Sequence, residues 1–223
     1  MSEMRTRATQ DQQTSTDDGH GSGRLSGKVA IITGGDSGIG RATAVRLARE
    51  GASVTIVYRA GQQNDAETTA ALVGEAGQQC QLCPGDVNER AFCDKVVGDT
   101  LENYGRLDIL VNNAACQDHP SDNTGIDDEQ SDRRFRTNLH AYLHMTRAAV
   151  PHMGKGGAII NLGSSTGPQG GPPTLESAAT RGAIHAFTRS LAQNLVSEGI
   201  RVTAANCISG EVLSLLGAQT TAA

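Results

Sequence analysis

Short apolar runs alternate along the chain with longer segments whose apolar residues recur at helical spacing. Val29-Ala-Ile-Ile-Thr33 is the first run, continuous rather than alternating, as expected of a strand buried on both faces. A glycine-rich turn follows. Residues 39–50 then read as a helix, with Ala44, Val45, Leu47 and Ala48 on one side and Gly51 as the stop. The same alternation predicts strands at 53–58, 79–83, 107–112, 158–162 and 200–204. Helices are predicted at 65–75, 89–103, 131–151 and 178–198, and residues 117–130 read as loop. Strands and helices in strict alternation imply βαβ units with right-handed crossovers. The expected fold is α/β, a Rossmann-type doubly wound parallel sheet with helices on both faces.

The two ends differ from this middle. Residues 1–23 are polar, without apolar periodicity, and read as a disordered arm. Residues 24–205 are expected to form the one domain, and 206–223 an atypical tail. Across 223 residues the aromatic content is 3% with no Trp, so the core must be built from Ala, Val, Ile and Leu, as in a covered parallel sheet. A net charge of -5 argues against a nucleic-acid or anionic-membrane partner. No apolar run approaches the length of a membrane span, and a cytoplasmic location is expected. Five cysteines make no disulfide framework. Cys80 and Cys83 form a C-x-x-C, but inside a predicted strand and without a second pair, so they read as incidental thiols, and no metal site is expected.

Candidate chemistry starts at the first turn, Thr33-Gly-Gly-Asp-Ser-Gly-Ile-Gly40. Gly34, Gly38 and Gly40 permit a tight turn and close approach of backbone to a pyrophosphate, with Asp36, Ser37 and Ile39 between them. The following helix offers free N–H groups and its positive end to an anion. At the end of the second strand, Tyr58-Arg59-Ala60 carries no carboxylate of the kind that holds the ribose of NAD. Arg59 is suited to face a 2′-phosphate, so NADP is expected in preference to NAD; a solvent-facing Arg59 is the alternative.

In combination these motifs resemble the short-chain dehydrogenase/reductase family, and the phrase Thr-Gly-Gly-Asp-Ser-Gly-Ile-Gly-Arg resembles a bacterial subgroup of stress-associated aldehyde or sugar reductases. Asn112, Asn113, Ala114 and Ala115 stand for the family's N-N-A-G, with Ala in the last place. Asp86 and Val87 resemble the pair that the family sets against the adenine. Phe135-Arg-Thr-Asn138-Leu resembles the helix bearing its structural and catalytic Asn. The resemblance implies hydride transfer between a nicotinamide cofactor and a small carbonyl or alcohol substrate. It implies catalytic positions at Asn138, Ser164, Ser177 and Arg181. It also implies a homodimer or tetramer built on the helices at 131–151 and 178–198.

Two of those positions depart from the pattern. The family's acid is the Tyr of Y-x-x-x-K, and here Ser177 and Arg181 stand where Tyr and Lys belong. An aliphatic hydroxyl is a far weaker acid than a phenol, and a guanidinium does not relay a proton. Beyond Arg201-Val202 the family's substrate-covering segment and last strand are not recognisable, so a shortened C-terminus is expected. Two readings stay open. One is an NAD(P)-dependent oxidoreductase of doubtful activity; the other is a catalytically impaired dinucleotide-binding protein or degenerate fragment.

Overall fold

The computed structural model describes residues 21–116, 128–164, 167 and 175–205. The predicted arm up to residue 20, most of the loop at 117–130 and the tail at 206–223 lie outside the described residues.

The strands are β1 (Val29–Thr33), β2 (Ser53–Tyr58), β3 (Cys80–Pro84), β4 (Leu107–Asn112), β5 (Met153–Leu162) and β6 (Arg201–Ala205). The helices are α1 (Gly38–Arg49), α2 (Gln63–Glu75), α3 (Arg90–Tyr104), α4 (Asp128–Phe135), α5 (Ala141–Ala149) and α6 (Leu175–Leu195). All strand pairings are parallel, in the order β3-β2-β1-β4-β5-β6. The order reverses between β1 and β4, which opens a crevice at their carboxyl ends, where sheets of this kind take ligands.

Burial on both faces explains the continuous apolar strands. In β1, Ile31 packs into a core with Leu110, Ile159 and residues of α3, α5 and α6, including Val96, Met145 and Leu195. Its neighbours Ala30 and Ile32 point the other way, into a core with Val54, Ile56 and the α1–α2 residues Ala44, Ala48, Ala66 and Val73. The expected doubly wound fold is the one observed. On the α1 side of β4–β6 an apolar cavity of about 540 Å³ remains, lined by Leu25, Leu47, Ile109, Ala158 and Ile160 among others.

Three boundaries differ from expectation. The predicted helix at 131–151 begins earlier, at Asp128, and is interrupted by a π-helical turn, Arg136–His140, before α5. β5 begins at Met153, not 158, because Met153 already pairs with Leu107, and a Gly-rich irregularity without apolar pattern separates it from the run that pairs from Ala158. α6 begins at Leu175, three residues before the predicted start, and closes with a 3₁₀ turn, Val196–Glu198.

Cys80 and Cys83 lie three residues apart on β3 and therefore face opposite sides of the sheet, Cys83 in the core and Cys80 against the other one. They cannot chelate one ion or join each other. Burial pushes the thiol of Cys80 up to about 12 and that of Cys83 up to about 11, so both stay protonated and inert. No described helix is long and apolar enough to cross a membrane.

Candidate functional site

The first turn is held open by side chains of β1 and β4. Thr33 Oγ1 accepts from the backbone N–H groups of Asn113 and Ala114 at 2.9 and 3.0 Å. Asn113 Nδ2 in return donates to the carbonyls of Thr33 and Gly34, both at 2.9 Å. Gly34 and Gly38 adopt φ values of 63° and 51°, the left-handed region that a side chain disfavours. α1 then starts beneath the turn. A Cβ on Gly40 would sit 1.9 Å from the Gly34 carbonyl oxygen, so only glycine allows this packing. Gly40→Ala is expected to destabilise the chain by about 1–3 kcal/mol, as overpacking does. Thermal melts check this.

Ser37 caps α1 in an extended conformation without a side-chain capping bond, and the first turn carries no acidic residue. The leading N–H groups are thus left for an external anion.

A groove of about 310 Å³ opens at this point. The β1 turn contributes Gly34, Asp36, Ser37, Gly38 and Ile39 to it. The end of β2 contributes Tyr58 and Arg59, the end of β3 Asp86 and Val87, and the end of β4 Asn113 and Ala114. These eleven are sequence-predicted cofactor positions, and four strand ends bring them to one place. Two further predicted positions lie elsewhere. Gly40 sits behind the turn. Asn112 is fully buried at the end of β4, where Nδ2 donates to Asn161 Oδ1 at 2.9 Å and Thr146 Oγ1 at 3.2 Å. Asn161 Nδ2 continues to Thr188 Oγ1 on α6 at 3.0 Å, so Asn112 braces β4, β5, α5 and α6 beneath the groove. The groove also takes in Val57, Gln62, Gly85 and Ala115, which sequence reasoning missed. Only their adjacency to predicted positions signals them.

The four predicted catalytic positions gather beyond the ends of β4 and β5. Cys116, next to Ala115 of the groove, donates its N–H to Asn138 Oδ1 at 2.8 Å. Asn138 is buried on the π-helical turn, and its Nδ2 donates to Thr180 Oγ1 at 3.4 Å. Thr180 donates to the Ser177 carbonyl at 2.9 Å. Ser164 follows β5, and its carbonyl accepts from His185 Nε2 of α6 at 3.2 Å.

Arg181 turns inward. It is 8% exposed, and Nη1 donates to the Leu162 carbonyl at 2.6 Å. One nitrogen of the guanidinium is thus engaged by the end of β5.

Glu176, unnoticed in the sequence, anchors the first turn of α6. Its carboxylate accepts from Ser131 Oγ at 2.7 Å and pairs with the buried Arg134 of α4. Arg134 lies four residues before Asn138, on the same helical face, and that spacing is the signal that could have found it.

Free helix N–H groups on one wall and an exposed Arg59 on another suit an anionic nucleotide. The sheet order and the groove at its switch point define a Rossmann-type α/β domain. Residues 28–214 match the short chain dehydrogenase family. The chain belongs to that family.

Among its relatives, the uncharacterized oxidoreductase YhdF of Bacillus subtilis is 48% identical over 189 residues, 84% of this chain and 65% of that protein. NADPH-dependent aldehyde reductase 1, chloroplastic, of Arabidopsis thaliana is 43% identical over 195 residues, 85% of this chain and 68% of that protein. The chain thus spans a little under two thirds of the length of the first of these. A crystal structure of a short chain dehydrogenase from Burkholderia cenocepacia in complex with NADP superposes with a TM-score of 0.77 at 32% identity. That superposition covers 81% of this chain and 74% of the other.

Proposed function

We propose that this chain binds NADP(H), and NAD(H) more weakly, in the groove at the β1–β4 switch point, and that its reduction of carbonyl substrates is strongly impaired. The observation that carries the reading is the convergence of four strand ends on one groove, with an uncapped α1 N-terminus and Arg59 in it. The β1 turn holds the pyrophosphate, Arg59 the 2′-phosphate, and Asp86 and Val87 the adenine. When bound, the nicotinamide supplies or accepts hydride. Ser164 orients a small carbonyl or alcohol substrate, and Asn138 holds Cys116 and Thr180 around it. Ser177 then offers an alcohol where a stronger acid is needed, and Arg181 is committed to Leu162. The relative titled an NADPH-dependent aldehyde reductase supports both the nucleotide and the substrate class. The same reading places the chain in the cytoplasm, as a homodimer or tetramer through α5 and α6.

Titration with NADPH and NADH, followed by an aldehyde and sugar panel, tests it. Saturable binding with little turnover is expected. Turnover at rates ordinary for an enzyme would sink the impairment, and no binding of either nucleotide would sink the reading altogether. Arg59→Ala is expected to weaken NADPH by about tenfold or more, the worth of hydrogen bonds to a charged group, while leaving NADH unchanged.

A further inference from the structure

Asp36 is fixed by its main chain and idle at its side chain. Its carbonyl accepts from Arg41 Nε at 3.0 Å, Arg41 Nη2 at 2.6 Å and Thr69 Oγ1 at 3.0 Å. Arg41 reaches on to the Asp65 carboxylate, so α1 and α2 together lock the residue in the turn. The residue is 2% exposed, it lines the groove, and its buried Oδ2 has no hydrogen-bond partner. A buried carboxylate oxygen without a donor is unfavourable, and a ligand that brings one recovers the loss.

The nucleotide of the proposed function limits what that donor is. Its phosphates are acceptors and are repelled by a carboxylate. Its adenine belongs at the β3 end, with Asp86 and Val87. Between the 2′-phosphate at Arg59 on β2 and the pyrophosphate at the α1 N-terminus, the remaining donor is the 3′-hydroxyl of the adenosine ribose. β1 lies next to β2 in the sheet, which places the Asp36 turn at that point.

Resting on that reading of the groove, we infer that Asp36 is the ribose acceptor, taking a hydrogen bond from the 3′-hydroxyl of the adenosine ribose. The β2 end reads Tyr58-Arg59-Ala60, without an acid, and the carboxylate comes from the neighbouring turn instead.

Calorimetric titration of the full chain with ADP, 3′-deoxy-ADP and 2′-deoxy-ADP tests the assignment, in wild type, Asp36→Ala and Asp36→Asn. A hydrogen bond to a carboxylate is worth about a factor of ten or more in affinity. Wild type is therefore expected to prefer ADP to 3′-deoxy-ADP by about that factor, and Asp36→Ala to bind the two alike. Asp36→Asn, which keeps the shape and one neutral acceptor oxygen, is expected to fall between and serves if the Ala variant does not fold. A purely structural Asp36 would weaken all three ligands equally and leave the ratio intact, which overturns the inference. A wild-type preference confined to the 2′-hydroxyl overturns it as well. If wild type binds neither ADP nor NADPH, the proposed function fails first and takes the inference with it.

Discussion

Converting Ser177 to Tyr and Arg181 to Lys together is expected to raise carbonyl turnover by about 10²–10⁴, the range that a positioned acid contributes. A phenol starts near pKa 10, and a nearby ammonium brings it toward neutrality, whereas the Ser177 hydroxyl is too weak an acid to be tuned there. The only phenol in this region does not replace it. Tyr142 is 1% exposed, and its OH donates to the Leu162 carbonyl at 3.3 Å. Burial pushes its pKa up to about 12, against the opposing effect of the Arg181 charge beside it. It is thus neither accessible to a substrate nor acidic enough to serve one. Ser177→Tyr alone is expected to gain less, because Arg181 stays tied to Leu162. Arg181→Lys alone is expected to gain nothing in rate and to lose about 1 kcal/mol of stability with the bond to the Leu162 carbonyl. Initial rates of NADPH oxidation over the aldehyde and sugar panel, for both single variants and the double, check this order. A double variant that binds NADPH like wild type yet stays flat would show that Ser177 and Arg181 do not limit the reaction.

The groove at the first turn was legible in the sequence because it is made by local chemistry. A continuous apolar strand, a turn that needs glycine at Gly34 and Gly38, and a helix beginning at once afterwards are neighbours in the chain and in space. The same holds for Tyr58-Arg59 and Asp86-Val87, which sit at strand ends whose order follows from the βαβ rule. What escaped depends on contacts between distant segments. Asn112 looks from its motif like a ligand of the cofactor, but Thr146 and Asn161, 34 and 49 residues away, draw its amide into the core. Arg181 looks free to reach a ribose until the carbonyl at the end of β5 is placed beside it. The beginning of β5 escaped for another reason: Gly154, Gly156 and Gly157 lie where the register shifts between the pairs at Met153 and Ala158, and they show no apolar pattern. The reaction positions are what the family resemblance implies, and the structure adds how Ser177 and Arg181 are held.

The hold on Ser177 passes through Glu176, and Arg134→Met is expected to destabilise the chain by about 3 kcal/mol or more. Arg134 is 3% exposed, and the Glu176 side chain is 10% exposed. Removing the guanidinium leaves the carboxylate in a place that water barely reaches, with Ser131 as its hydrogen-bond donor. Two features keep the loss toward the lower end of the range of about 3–5 kcal/mol for breaking a buried pair. The Ser131 bond survives, and Glu176 lies in the first turn of α6, where the helix dipole favours negative charge. For a chain of this size the change corresponds to a fall in Tm of about 6–12 °C. The double variant Arg134→Met with Glu176→Leu removes both charges and is expected to recover most of the stability, because two apolar side chains of similar volume need no partner. That recovery separates a buried charge from lost packing: if the double variant is as unstable as Arg134→Met, packing around Arg134 is what the single substitution destroyed. Adenine-half binding is expected to survive in the single variant at temperatures below its melt, since the groove is built by β1 to β4 and their turns. The start of α6, carrying Ser177 and Thr180, keeps the Ser131 bond to α4 but loses the ion pair, and so holds its position against Asn138 less firmly. The Ser177→Tyr, Arg181→Lys background should accordingly lose part of its regained turnover when Arg134→Met is added, with affinity for 2′,5′-ADP unchanged.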